Sequence, residues 1–371
     1  MRVLFVSAEA GVKAGGELFL MDVIKGLAPD MDMACVCPAE GELAAALRRQ
    51  GVLVFISPTN WSRKLRDWPG QCWRLACLGR ALHLFEPQVI FANGGYTNNL
   101  AVRLARRLGC RVAAYIQDVF DPPQGDKYAF GQADAAAACS VGIADLVRPF
   151  NPRVNVIYHG IDTAQFSPDG RLPARAALGL SEEQFIVGFT GTIIRKKGIY
   201  EFINAARLIA AQVPQARFLI AGSPKAGEEE ILQQLNARLA GDGLQDRVRW
   251  LGFVGRIEDV MPAFDVFLFP THFEALGRVI IEAMACGVVP VSSLAIGPRE
   301  IIEDGRTGYL RPHDDIAALA AAVISLHRDA ALRVRMAAAA RKVVQEKFST
   351  QAMLNGVKAL IERAAPAKAN T

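Results

Sequence analysis

In THFEALGRVIIEAMACGVVPV, residues 271–291, two acids, Glu274 and Glu282, stand with seven residues between them in a stretch that changes from strand to helix. Pro270 closes an apolar run, a helical period starts at Gly277 or Arg278 and lasts to Cys286, and Gly287 supplies the stop. Glu274 therefore falls in the loop before the helix, with Glu282 about one turn inside it, on the order of 6 Å along the axis. The backbone N–H groups of Gly277, Arg278 and Val279 lie between them, and such a helix start attracts anions through its donors and its dipole. A diphosphate there would have one carboxylate near each end. A nucleotide sugar has that shape, with ribose hydroxyls to donate to Glu282 and sugar hydroxyls to donate to Glu274. The plainer alternatives are a Glu274 that only complements the helix dipole and a Glu282 that is a solvated helix residue, although Ile280, Ile281, Ala283 and Met284 around it are apolar.

The elements that must position these acids are short apolar strands alternating with amphipathic segments. Strand patterns occur at 2–7, 33–37, 52–56, 88–92, 111–116 and 153–158, then again at 185–190, 216–221, 247–253, 265–270 and 288–293. Continuous apolar strands separated by helices indicate parallel sheets covered on both faces. The Pro-, Gly- and Asp-rich stretch 159–184 interrupts the rhythm and reads as the connection between two domains. A length of 371 residues suits two such domains. The expected fold is α/β, with two doubly wound, Rossmann-like domains facing a central cleft where the strand ends meet.

Composition limits the partners. Half the residues are hydrophobic, 51%, yet no apolar run approaches the roughly 18 residues of a membrane span. A net charge of +5 suits acidic small molecules or anionic lipid better than a nucleic-acid duplex. Seven cysteines at irregular spacing fit reduced, buried thiols, and Cys72 and Cys77 have no second pair to complete a zinc site. The N-terminal MRVLFVSAEAGV enters a strand at once, which gives the expectation of a cytoplasmic chain.

The segment from Glu274 through AMACGVVPV, followed by GPREIIEDGRTGYLRP at 297–312, resembles the C-terminal signature of the GT4 family of retaining glycosyltransferases, which have the GT-B fold. Further pieces stand in family order: Gly15 and Gly16 after the first strand, VIYHGIDTAQFSP at 156–168, and GTIIRKKGIYEFINA at 191–205. The resemblance covers nearly the whole chain. It implies an N-terminal acceptor domain over 1–165, a donor domain over 166–345, and a C-terminal helix over 346–371 that packs back toward the first domain. It also implies donor contacts from Lys197 to the diphosphate, from Gly15, Gly16, Gly191 and Thr192, from Gln117, and from Glu274, Glu282 and the Gly277–Val279 region; Asp162 would be a structural acid of the hinge. Four positions depart from the family pattern. Thr192 stands where an arginine is usual, leaving Arg195 or Lys196 as the second cation, while Phe91, Asn93 and Gln117 stand at histidine positions. Gln117 can donate a hydrogen bond but cannot carry a proton.

The expected activity is transfer of a sugar from a UDP- or GDP-sugar to a saccharide or lipid-linked acceptor, with retention implied by the resemblance alone and no metal required. Helix N-terminus, Lys197 and Arg195 would stabilise the leaving diphosphate while Glu274 holds the sugar. The rivals are a nucleotide-sugar epimerase of the same fold and a non-catalytic sugar-nucleotide-binding partner. A dinucleotide oxidoreductase is disfavoured, because no strand is followed by G-x-G-x-x-G.

The loop AGVKAGG at 10–16 reads as a tight turn or as a phosphate loop, and the family match favours the latter. His272 is either a cleft residue or a structural one; His83, His313 and His327 read as ordinary surface or helix residues, and DMD at 30–32 as a turn. Trp61, Arg63, Lys64, Arg66 and Trp68 interleave aromatic and basic groups, which suits an anionic membrane interface at the inner face of the plasma membrane, the alternatives being a plain surface loop or the wall of an acceptor site. Pro69-Gly70 is expected to divide that segment from a second, packed helix.

Overall fold

A computed structural model describes residues 1–12, 15–59, 68–118, 120 and 128–366. Two compact units divide the chain, Met1–Gly160 together with Thr350–Thr371, and Ile161–Ser349. The divisions at 160/161 and 349/350 lie a few residues from the expected 165/166 and 345/346, and the 159–184 stretch belongs almost wholly to the second unit.

The first unit runs β1 (Arg2–Val6), α1 (Gly15–Leu27), β2 (Asp32–Cys37), α2 (Glu42–Arg49), β3 (Leu53–Ile56), α3 (Trp68–His83), β4 (Val89–Asn93), α4 (Gly95–Leu108), β5 (Arg111–Ile116), β6 (Ala135–Ala138), α5 (Val141–Val147) and β7 (Asn155–Val156). Its sheet has the order β3-β2-β1-β4-β5-β6-β7, and its pairings are parallel. β1 and β4 pair with Val3 opposite Val89, and the chain order reverses between them, so their C-terminal ends form the crevice in which open α/β sheets bind ligands.

The second unit contains α6 (Arg171–Ala177), β8 (Phe185–Thr190), α7 (Ile199–Gln212), β9 (Ala216–Ala221), α8 (Glu230–Gly241), β10 (Val248–Gly252), β11 (Val266–Phe269), α9 (Arg278–Ala285), β12 (Val289–Ser293), α10 (Pro298–Ile301), β13 (Tyr309–Arg311), α11 (Ile316–Arg328) and α12 (Ala330–Lys347). Its sheet order is β10-β9-β8-β11-β12-β13, with the reversal between β8 and β11. β8 and β11 are buried along their whole length, which explains their uninterrupted apolar sequences. At the far end of this pair Asp265 accepts hydrogen bonds from Ile186 N (2.8 Å) and Arg171 (2.8 Å), fixing α6 and the start of both strands. Arg341 of α12 donates to Thr163 O (3.1 Å), Phe166 O (3.0 Å) and Ala285 O, so one guanidinium ties the first segment of the unit to the C-terminus of α9.

α13 (Thr350–Ala364) returns to the first unit. Lys358 there bonds Asp30 at 2.5 Å, and a Cβ at Gly26 would lie 2.4 Å from Leu354, so α1 and α13 touch where only glycine fits. Asp30 thus belongs to the turn that the DMD motif suggested, and Asp32 opens β2.

Candidate functional site

The strand ends at the second reversal carry the residues singled out in the sequence. β8 gives way to Gly191, whose φ of 143° and contact with Gly222 leave no room for side chains: a Cβ on Gly222 would lie 1.9 Å from Gly191 O. The chain then makes a tight turn over Arg195–Lys197 and enters α7 through Gly198, at φ 81°. A Cβ on Gly198 would stand 1.9 Å from Pro270 O, so this turn and the loop after β11 meet backbone to backbone. Lys196 O accepts from His272 N (2.9 Å) and Thr271 Oγ1 (3.2 Å), which locks the two segments together.

Lys197 Nζ donates to Glu274 Oε2 at 2.5 Å, with side chains 22% and 16% exposed. The sequence thus brings together the candidate cation and the candidate sugar-binding acid, although 77 positions separate them. Gly277, at φ 101°, opens α9 without any side-chain cap, as the need for a left-handed residue predicts. Val279 lies in its first turn. Glu282 is buried, and its Oε1 accepts from Arg278 Nε at 3.0 Å across one helical turn. Arg278, picked out for its backbone N–H, therefore also orients Glu282 through its side chain. Arg195 lies with its guanidinium 5.5 Å from the ring centre of Tyr200, apart from the Lys197–Glu274 pair, and Thr192 is exposed.

In the first unit, Gly15 and Gly16 open α1, while Lys13 and Ala14 of the same loop lie outside the described residues. Asn93, at the end of β4, donates to Gly16 O (3.1 Å) and accepts from Gln117 Nε2 (2.8 Å). The Gln117 amide lies so close over Gly16 that a Cβ there would be 3.0 Å from its nitrogen. Gly16, Asn93 and Gln117 are thus one hydrogen-bonded group. Phe91 is not part of it: wholly buried, its ring packs 5.3 Å from Phe5.

Several groups escaped the sequence reading. Glu17, next to Gly16, is 5% exposed. Burial pushes its carboxyl up to about 7, partly opposed by its own backbone N–H and reinforced by the charges of Glu9 and Asp118. An acid directly after a glycine pair at a helix start was its visible signal. His313, read as an ordinary surface residue, packs its ring 4.3 Å from that of His272, tilted by 45°. Glu201 Oε1 lies 3.1 Å from His272 Nε2, and nothing in the local sequence marks that meeting. Asp162 accepts from the backbone N–H groups of Ala164 (2.9 Å) and Gln165 (3.4 Å), a turn-forming contact.

Trp61, Arg63, Lys64 and Arg66 lie outside the described residues. Trp68 is the first residue of α3 and Pro69 the second, so the expected division falls at the helix start, where a proline removes no helical hydrogen bond. Among the described residues no group of three or more His, Cys, Asp or Glu is placed to hold a metal ion, and no helix is long and apolar enough to cross a membrane.

A family model described as Glycosyltransferase Family 4 matches residues 14–165, and one described as Glycosyl transferases group 1 matches residues 171–343. Between them they take in most of both units, and the chain belongs to the family-4-type, group 1 glycosyltransferases. It is 34% identical over 246 residues to the alpha-maltose-1-phosphate synthase of Mycolicibacterium smegmatis, a match that covers 60% of this chain and 62% of that protein. It is 32% identical over 243 residues to the D-inositol 3-phosphate glycosyltransferase of Streptomyces avermitilis, covering 60% of this chain and 52% of that protein. The matched stretch thus spans about half to three-fifths of these relatives. In fold the chain is similar to Anabaena HepE crystallised with UDP and glucose, with TM-score 0.85, 23% identity, and 98% of this chain and 99% of that one covered. The two parallel sheets are those of GT-B structures.

Proposed function

We propose that this chain transfers a hexose from a nucleotide-diphosphate sugar to a saccharide or lipid-linked acceptor, with retention of anomeric configuration. The observation that carries the reading is the Lys197–Glu274 pair, held at 2.5 Å in the loop that leads to the uncapped N-terminus of α9. Lys197 and the helix start would take the diphosphate, so that charge developing on the leaving group meets a cation and backbone dipoles already in place. Glu274 would then exchange its lysine for hydroxyls of the transferred sugar, and Glu282, fixed by Arg278, would accept from the ribose. The reaction as written requires no resident metal, since the chain's own cation carries the electrostatic role.

The acceptor is assigned to the first unit, whose Glu9 and Asp118 offer carboxylates to hydroxyl groups beside Gly15, Gly16 and Gln117, the positions that the family resemblance gives to the donor. A lipid-linked acceptor would bring the chain to the cytoplasmic face of a membrane, with the basic and tryptophan-rich 61–68 segment against anionic lipid. Two relatives named for glycosyl transfer or sugar-phosphate synthesis and a UDP-bound structural neighbour support the donor class. Screening UDP- and GDP-sugars for thermal stabilisation tests it, because a donor at 100 times its Kd adds about 2.7 kcal/mol. Failure of every such donor to raise the melting temperature would contradict the reading.

A further inference from the structure

Lys197 and Glu201 stand four residues apart on one segment, and His272 and Glu274 stand two apart on another. The two segments are joined twice. Lys197 meets Glu274 at 2.5 Å, and His272 Nε2 lies 3.1 Å from Glu201 Oε1. The second contact lacks the in-line geometry of an N–H···O bond, and both His272 Nε2 and Glu201 Oε2 are buried without a hydrogen-bond partner among the described residues. His313, from the segment between β13 and α11, packs against the imidazole with ring centres 4.3 Å apart at a tilt of 45°. A buried carboxylate and imidazole left short of partners cost stability that an apolar pair of similar size would not. Their placement is therefore poorly explained as a stabilising contact. It is better explained by what it fixes, the relative position of the turn bearing Lys197 and the loop bearing Glu274.

We propose that Glu201 and His272, backed by His313, are positioning residues that hold Lys197 against Glu274. The proposal rests on the glycosyltransferase reading for its purpose, but its geometry does not need a nucleotide. With the contact in place, the ammonium and the carboxylate already occupy the places that diphosphate and sugar would address, so less reorganisation is required when the donor arrives. With it removed, the loop after β11 keeps its hydrogen bonds to Lys196 O, Ser293 and Gly297 but loses a side-chain tie to the turn that bears Lys197, and the lysine gains freedom.

Competitive acetylation with trace acetic anhydride, read lysine by lysine by mass spectrometry on the full-length protein without nucleotide, tests this directly. Glu274→Ala should raise the rate at Lys197 by removing its partner. His272→Ala and Glu201→Ala should raise it roughly threefold, the size of effect a half-exposed ion pair supports, while the other lysines keep their rates. Glu201→Gln, which preserves shape and an acceptor oxygen, should stay near wild type. An unchanged Lys197 rate in both alanine variants, or in Glu274→Ala, would overturn the proposal. If an alanine variant labels faster at every lysine it has unfolded, and His272→Gln then supplies the same comparison. Because no donor is present, this outcome is separate from whether the chain binds a nucleotide sugar.

Discussion

The crevices at the two strand reversals arise from the same winding of a parallel sheet, yet their rims are built from opposite materials. The first unit presents a glycine pair, two interlocked amides and the acids Glu9, Glu17 and Asp118. The second presents a lysine clamped to a glutamate beside an uncapped helix start. A diphosphate gains from the second rim and is repelled by the carboxylates of the first, whereas a neutral polyol finds hydrogen-bond acceptors on the first at no electrostatic cost. The difference supports the proposal that the donor's diphosphate is held at the second rim and hydroxyl groups at the first. It also separates a rim closed backbone to backbone from one closed by a side-chain amide.

That last contrast gives the largest expected effect. Gly198→Ala must place a Cβ 1.9 Å from Pro270 O at a φ of 81°, so it should destabilise by roughly 3 kcal/mol or more and lower the melting temperature accordingly. Gly16→Ala meets only the tip of Gln117, which can swing aside, and should cost about 1 kcal/mol or less. Equal losses in denaturant titrations of the two variants would remove the distinction.

Glu17 sharpens the comparison through pH. Its carboxyl titrates at about 7 in the folded chain against 4.5 as its ordinary value, so between those values the folded state holds more protons than the unfolded one. Stability therefore falls as pH rises through that window, by at most roughly 3 kcal/mol. Glu17→Gln removes the penalty, and its melting temperature should exceed wild type more at pH 8 than at pH 5. A difference that does not grow with pH would place Glu17 in a solvated setting.

The second rim was largely legible because its punctuation is local. Pro270, Gly277 and Gly287 bound α9, and the acids sit at fixed offsets from them. What sequence did not reveal depends on tertiary approach. β6 is four alanines, a composition that favours helix, and it is a strand because it pairs with β5 and β7 on either side, a tertiary setting that overrides local propensity. β13 escaped for its brevity, and α6 because its Pro-containing sequence reads as a connection. Glu201, His272 and His313 come from three segments whose meeting is fixed by sheet order alone.

A further expected effect concerns the membrane. Changing Arg63, Lys64 and Arg66 to Ser should weaken salt-sensitive co-sedimentation with anionic vesicles by about 1 kcal/mol per charge. No wild-type binding at low salt would favour a soluble acceptor instead.

The donor assignment to the second unit is the central claim, and calorimetric titration of UDP and of GDP into wild type, Lys197→Ala and Glu282→Ala tests it most directly. One of the two nucleotides should bind wild type, and each substitution should weaken it by about tenfold or more, the value of one lost charged hydrogen bond of about 1.5 to 3 kcal/mol. Affinity equal to wild type in both folded variants would contradict the account and move the nucleotide away from the Lys197–Glu274 rim.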